Sequence, residues 1–156
     1  FVNYTHLTEA DSRIIWQVRN HPEVSRWMEN TKPIAWEDHK RYVLSLSTRT
    51  DRVYYAVYLL NENPIIGAMY INPLNGNEEG ETGEYLLPNY QGKGYGRQMK
   101  FEFIQYVLKN HLLKIVMERV RTENVRNRRL NEKLGFQLTA VDNEYLHFKL
   151  ESENLK

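Results

Sequence analysis

The sequence predicts a single mixed α/β domain that opens on antiparallel strands and has a strand, loop and helix unit at its centre. Three observations carry that expectation. β-rich runs at Val53 to Leu60 and Ile65 to Asn72 flank Asn61-Glu62-Asn63-Pro64, a hairpin signature. The run from Glu81 to Leu87 leads through Gln91-Gly92-Lys93-Gly94-Tyr95-Gly96 into a helical pattern from Arg97 to about Asn110. At 156 residues the chain has room for one core, not comfortably for two.

In chain order, Val2 to Thr5 can open an edge strand, and Thr8 with Asp11 three residues on marks the start of a helix. That helix carries Ala10, Ile14, Ile15 and Val18 and ends near Asn20, before Pro22. A second short helix is expected from Glu23 to Asn30, with Val24, Trp27 and Met28 on one side, ending by Pro33. Trp36, His39, Val43 and Leu46 recur at helical spacing, which sets His39 among apolar neighbours, usually the place of a satisfied core or rim histidine. The two β-rich runs follow, and Asn75-Gly76-Asn77 marks the next turn. Past the glycine stretch, the helix should bury Phe101, Ile104 and Leu108. Ile115 to Val120 is a further strand, Asn124 to Leu134 a helix with Leu130 and Leu134 inward, and Phe136 to Leu150 a hairpin around Asp142-Asn143.

Composition removes several classes of function. A net charge of +1 is no nucleic-acid signature, although Arg119, Arg121, Arg126, Arg128, Arg129 and Lys133 make one region basic. With no cysteine there is no disulfide, thiolate metal site or cysteine acyl-enzyme, and no metal is expected. High aromatic content, 11 Tyr among it, argues against disorder before the polar tail at 151–156, so the domain is expected over 1–150. No apolar run is long enough to span a bilayer, and Phe1 opens nothing like a signal peptide. A cytoplasmic protein with no membrane partner is therefore expected, while the missing initiator Met leaves room for residues ahead of Phe1.

The glycine stretch has the chemistry of an anion cradle. Glycines at 92, 94 and 96 put no Cβ between the backbone and a phosphate, and the helix behind them offers unpaired N–H groups and a positive dipole end. Lys93 and Arg97 add charge. A plain flexible turn would give the same letters. The spacing is neither G-x-x-x-x-G-K-[ST] nor the dinucleotide G-x-G-x-x-G.

The spacing that fits is Q-x-x-G-x-G. Gln91, Gly94 and Gly96 resemble the acetyl-CoA pyrophosphate loop of the GNAT acetyltransferase superfamily, and Asn124 with Glu132-Lys133-Leu134-Gly135-Phe136 resembles its second block. The resemblance spans nearly the whole chain. It implies a twisted mixed sheet in which the strand before the loop and the strand after its helix run parallel and then splay apart. Acetyl-CoA would be the cosubstrate, its pantetheine in the splay, bound by backbone groups of Tyr85, Leu86 and Leu87 and by the loop from Gln91 through Gly92, Lys93, Gly94, Tyr95 and Gly96 to Arg97. Strand core is the plain role for Leu86 and Leu87. The basic helix around Arg126, Arg128 and Arg129 would rim the cofactor phosphates; a solvated face is the alternative.

A narrower resemblance sits in the first helices: Arg19-Asn20-His21-Pro22, Trp27-Met28 and His39 are similar to "RNHP…WM…H" in the UDP-amino-sugar N-acetyltransferases of pseudaminic-acid biosynthesis. It implies an acceptor pocket for a nucleotide-linked amino sugar, with Arg19, His39 and Tyr85 as contacts; Arg19 as a helix cap and Trp27 as core are the plain alternatives. A ribosomal-protein type N-terminal acetyltransferase shares the loop and "NEKLGF", and a non-catalytic acyl-CoA binder would keep the loop without an acceptor pocket. A homodimer is left open. Many members carry a tyrosine acid where this chain has Asn131. Glu84, on the strand before the loop, is the nearest candidate base, with an exposed strand glutamate as its alternative.

Overall fold

The computed structural model describes residues 1–60, 64–75, 78–111 and 113–156. The expected turns at 61–63 and 76–77 lie outside the described residues. Seven strands form one mixed sheet in the order β1-β2-β3-β4-β5-β7-β6. These are β1 (Val2–Asn3), β2 (Val53–Tyr58), β3 (Ile65–Asn75), β4 (Glu79–Leu86), β5 (Ile115–Arg121), β6 (Gln137–Val141) and β7 (Tyr145–Glu151). Five helices, α1 (Glu9–Asn20), α2 (Pro22–Ser25), α3 (Trp36–Ser45), α4 (Tyr95–His111) and α5 (Val125–Leu134), complete it.

Every neighbouring pair is antiparallel except β4 with β5. That parallel pair is short: Glu79, Gly80 and Glu81 lie opposite Ile115, Val116 and Met117, and pairing then stops. Thr82 still reaches across, its hydroxyl 3.5 Å from the Met117 carbonyl. Beyond it the strands part, leaving backbone groups turned into a gap instead of a ladder.

Strand alternation assigns the faces. Ala56, Ala68 and Tyr85 share the face covered by α1 and α3, where Tyr4, Ile15, Val18 and Val24 are buried. Tyr55, Met69 and Glu84 share the other face, under α4, whose Met99, Phe103 and Val107 are buried against it.

Several expected boundaries and faces change. The second helix is a single turn, Pro22–Ser25, with the His21 side chain accepting from the Glu23 N–H; turns occupy 26–29. On α1 the inward residues are Ser12, Ile15 and Val18, while Ala10 and Ile14 face outward. Helix α4 starts at Tyr95, two residues early, and its buried stripe runs through Met99, Lys100, Phe103, Ile104 and Val107. Phe101 and Leu108 are half-buried because α4 lies across two core clusters, and the seam between them is nearest 100 and 104.

The polar tail does not trail free. Glu151 ends β7, Ser152–Asn154 make a turn of 3-10 helix, and the Lys156 N–H donates to the Leu134 carbonyl at 3.1 Å. Gly135 makes this possible: at φ +95° it ends α5 left-handed, and any Cβ there would collide with the Asn154 carbonyl.

Candidate active site

The glycine loop closes β4 onto α4. Gly92 and Gly94 have φ of +78° and +88°, a region only glycine enters freely, and the space a Cβ would take at 92, 94 or 96 is open. Gly94 turns its carbonyl inward to accept from Arg97 and Gln98 in the first turn of α4. Among the described residues no acceptor takes the N–H groups of Gly92, Lys93, Gly94, Tyr95 or Gly96. Lys93 and Arg97 are exposed beside them and make no ion pair with any described residue. Unpaired donors, open space and a helix N-terminus together fit a polyphosphate.

Gln91 braces the loop across the gap. Its Nε2 donates to the Leu86 carbonyl at 3.0 Å, and its Oε1 accepts from Arg126 at 3.2 Å. Arg126 thus stands at the cleft, whereas Arg128 pairs along its own helix with Glu132 at 2.9 Å. The helix-periodicity argument picked the basic face correctly but could not tell which arginine turns to the loop. Asn124 caps α5, accepting from the Asn127 N–H, and lines the same cleft.

The register separates the three backbone positions expected to hold the pantetheine. The Leu87 N–H donates to the Ile66 carbonyl, and the Tyr85 carbonyl lies against Gly67 of β3. Those groups belong to the β3 ladder. Alternation turns the backbone of Glu84 and Leu86 toward the splay instead.

A buried charged cluster lies where β4 and β5 part. Lys100 is 0% exposed, yet its Nζ lies 2.9 Å from Glu84 Oε1 and 2.5 Å from Glu118 Oε2. It also donates to Asn131 Oδ1 at 2.5 Å and Asn127 Oδ1 at 3.2 Å, and Asn127 Nδ2 donates to Glu118 Oε1 at 2.8 Å. Burial works against the ammonium charge, but the Glu118 and Glu84 carboxylates outweigh it and raise the lysine's pKa. Glu84 is therefore not an exposed strand glutamate: its side chain is 10% exposed, with Oε2 buried and unpartnered beside the splay.

Asn131, at the position of the usual tyrosine, is fully buried and serves this cluster. The cluster escaped the sequence reading, although its signals were present. Lys100 interrupts an apolar helical stripe, and Glu118 stands between Val116 and Val120 in a strand of period two.

On the opposite face the predicted acceptor residues do converge. Arg19, His39 and Tyr85 line one cavity of about 590 Å³, together with Tyr42, Tyr54 and Tyr70. Arg19 Nη2 donates to the Asn30 carbonyl at 2.7 Å, while its Nη1 is buried with no partner. His39 Nε2 is 3.0 Å from Ser12 Oγ and its ring stacks on Trp36; burial, partly offset by Ser12, lowers its pKa. The Tyr85 hydroxyl pairs with that of Tyr4 at 2.8 Å, and burial pushes it up to about 12.

Of the other phenols, Tyr145 packs beneath the guanidiniums of Arg119 and Arg121. The Tyr70 ring lies over Gly83, where any Cβ would strike it, so it lines both this cavity and the splay.

A phosphate cradle at a helix N-terminus beside two splayed parallel strands, with a separate acceptor cavity across the sheet, defines the class. Residues 2–137 match the acetyltransferase (GNAT) domain family, and the chain belongs to it. It is an N-acetyltransferase with acetyl-CoA as cosubstrate.

Among its relatives, an acetyltransferase PseH from Campylobacter jejuni is 27% identical over 155 residues, covering 99% of this chain and 94% of that protein. The crystal structure of Campylobacter jejuni N-acetyltransferase PseH in complex with acetyl coenzyme A superposes with a TM-score of 0.78 at 20% identity, over 96% of each chain. Spermidine N-acetyltransferase from Vibrio cholerae, solved with CoA and spermine, reaches 0.86 at 17% identity, over 95% of this chain and 94% of that one. At such identities the two structures speak for the fold. Among the described residues no helix is long and apolar enough to cross a membrane.

Proposed function

We propose that this enzyme acetylates the amine of a nucleotide-linked amino sugar, of the UDP-4-amino-4,6-dideoxy sugar type, by direct transfer from acetyl-CoA. The observation that carries it is Arg19 Nη1, a buried guanidinium donor without a partner in a cavity of about 590 Å³. Leaving such a donor unmet costs free energy, so an anionic group of the acceptor is the natural partner.

Charge pairing around the cavity points the same way. Glu81 and Glu29 are paired with Arg119, at 2.8 and 3.6 Å, and Asp38 with Arg41, so Arg19 is left as the uncompensated charge. A polycationic acceptor would want the opposite sign. Tyr42, Tyr54 and Tyr70 supply flat surface for a base or sugar ring, and the full-length similarity to PseH supports the same acceptor class. In this scheme Glu84 takes the amine proton through its unpartnered Oε2. The cell compartment is that of the cosubstrate, the cytoplasm.

The test is a turnover screen with acetyl-CoA against a UDP-4-amino-4,6-dideoxy sugar and against protein N-terminal peptides, repeated with Arg19→Ala. Turnover of the sugar is expected, with an acceptor KM raised about tenfold or more in the variant and acetyl-CoA affinity unchanged. Turnover of peptides alone, or equal loss for both substrates, would refute it.

A further inference from the structure

We infer that Glu118 is a positioning residue for the acetyl transfer: by sharing Lys100 with Glu84, it keeps Glu84 basic enough to accept the amine proton. The inference rests on Glu84 acting as the base. Its ground is geometric. One buried ammonium serves two carboxylates from different strands, and Asn131 and Asn127 take further contacts at 2.5 and 3.2 Å. Had the lysine only to neutralise Glu84, a second carboxylate, 2% exposed, would be an expensive addition. With it present, the trio carries a net negative charge unless it holds one proton.

The surroundings of Glu118 admit no other counter-charge. Glu84 faces it from β4, Lys100 from α4, the neutral Asn127 and Asn131 from α5, and Tyr70 bears on the same site from β3. On β7 the opposed residue is Phe148. Burial, then repulsion from Glu84, pushes the Glu118 carboxyl up to about 7, against the pull of Lys100. The pair of carboxylates therefore exchanges a single proton near neutrality, a property of the pair and not of either member.

In the reaction the acceptor nitrogen attacks the thioester carbon, the C–N bond forms and the C–S bond breaks. The nitrogen gives one proton to Glu84 Oε2, and that proton is then held between Glu84 and Glu118 while Lys100 stays charged. It leaves to the departing sulfur, making the thiol of CoA, or to water. No acid at position 131 is needed.

The test has an arm without any acceptor and an arm with one. Infrared titration of the wild-type protein should show a protonated carboxyl band lost with a midpoint near pH 7, and Glu118→Gln should lack it. With the acceptor that the turnover screen identifies, removing the Glu118 charge leaves Lys100 wholly to Glu84, which then binds its proton more weakly. The acid limb of kcat should move to lower pH by about one unit, and the plateau should fall about threefold to tenfold. The acceptor amine titrates alike in both proteins, so the difference isolates the cluster.

A wild-type spectrum with no carboxyl titrating between about pH 6 and 8 overturns the inference, whatever the acceptor. So does an unchanged pH profile in folded Glu118→Gln. If Glu84→Gln keeps its kcat, the base assignment fails with it; if Glu84→Gln loses about a hundredfold while the Glu118→Gln profile stays put, only the role of Glu118 fails. Should Glu118→Gln not fold, Glu118→Asp, which keeps the charge, must retain the wild-type limb, and a shifted limb there counts against the inference.

Discussion

The two halves of the site are made of different material. The phosphate cradle on the α4 face is backbone: free N–H groups from Gly92 to Gly96, two positive φ angles and open space where side chains would be. The acceptor cavity on the α1 and α3 face is side chain: a guanidinium, an imidazole and phenols from β2, β3 and β4. A backbone site depends on local conformation, so a short stretch specifies it. A cavity of side chains depends on the fold, so its members lie scattered from Arg19 to Tyr85. The lesson is that a cosubstrate site of the first kind can stay constant while acceptor choice is rewritten at distant positions.

The largest expected effect falls where the halves meet. Lys100→Ala strands two carboxylates in a dry seam and should lower stability by about 3–5 kcal/mol, read by denaturant unfolding. Both halves should weaken together, and loss of acceptor binding alone would break the picture of a shared seam. Next is Gly94→Val, which demands φ near +88° of a β-branched residue and fills the cradle. Calorimetry should show acetyl-CoA affinity reduced about tenfold to a hundredfold, while Arg19 and the acceptor cavity keep their geometry. Unchanged affinity in a folded variant would remove the cradle. The smallest is Tyr85→Phe, which loses one buried hydroxyl pair, worth about 1 kcal/mol in thermal unfolding. A few-fold rise in acceptor KM with unaltered acetyl-CoA binding would place that hydroxyl on the acceptor side.

The same contrast explains what could be read in advance. The loop, the α5 cap at Asn124, the Thr8 cap and the strand order were legible because each is a local pattern whose letters have a mechanism. Arg19, His39 and Tyr85 came together only through a family likeness, since nothing local ties 19 to 85. Lys100 and Glu118 stayed hidden because burial of a charge depends on partners brought by other elements, and pattern reading treats a lone charge in an apolar stripe as noise. Arg128 shows the remaining limit. A basic helix face is visible, but which arginine reaches Gln91 depends on how the helix is turned.

The docked end of the chain bears on how this enzyme can be handled. The Leu134 carbonyl, at the close of the helix holding Asn127 and Asn131, is met by the N–H of Lys156, and the Asn154 carbonyl fills the slot beside Gly135. Residues that look dispensable by composition are thus a doorstop for the helix that positions the lysine cluster. A clipping enzyme that trims from the carboxyl end would be felt one helical turn away from Asn131, and an affinity handle joined directly after Lys156 would have to leave that position intact.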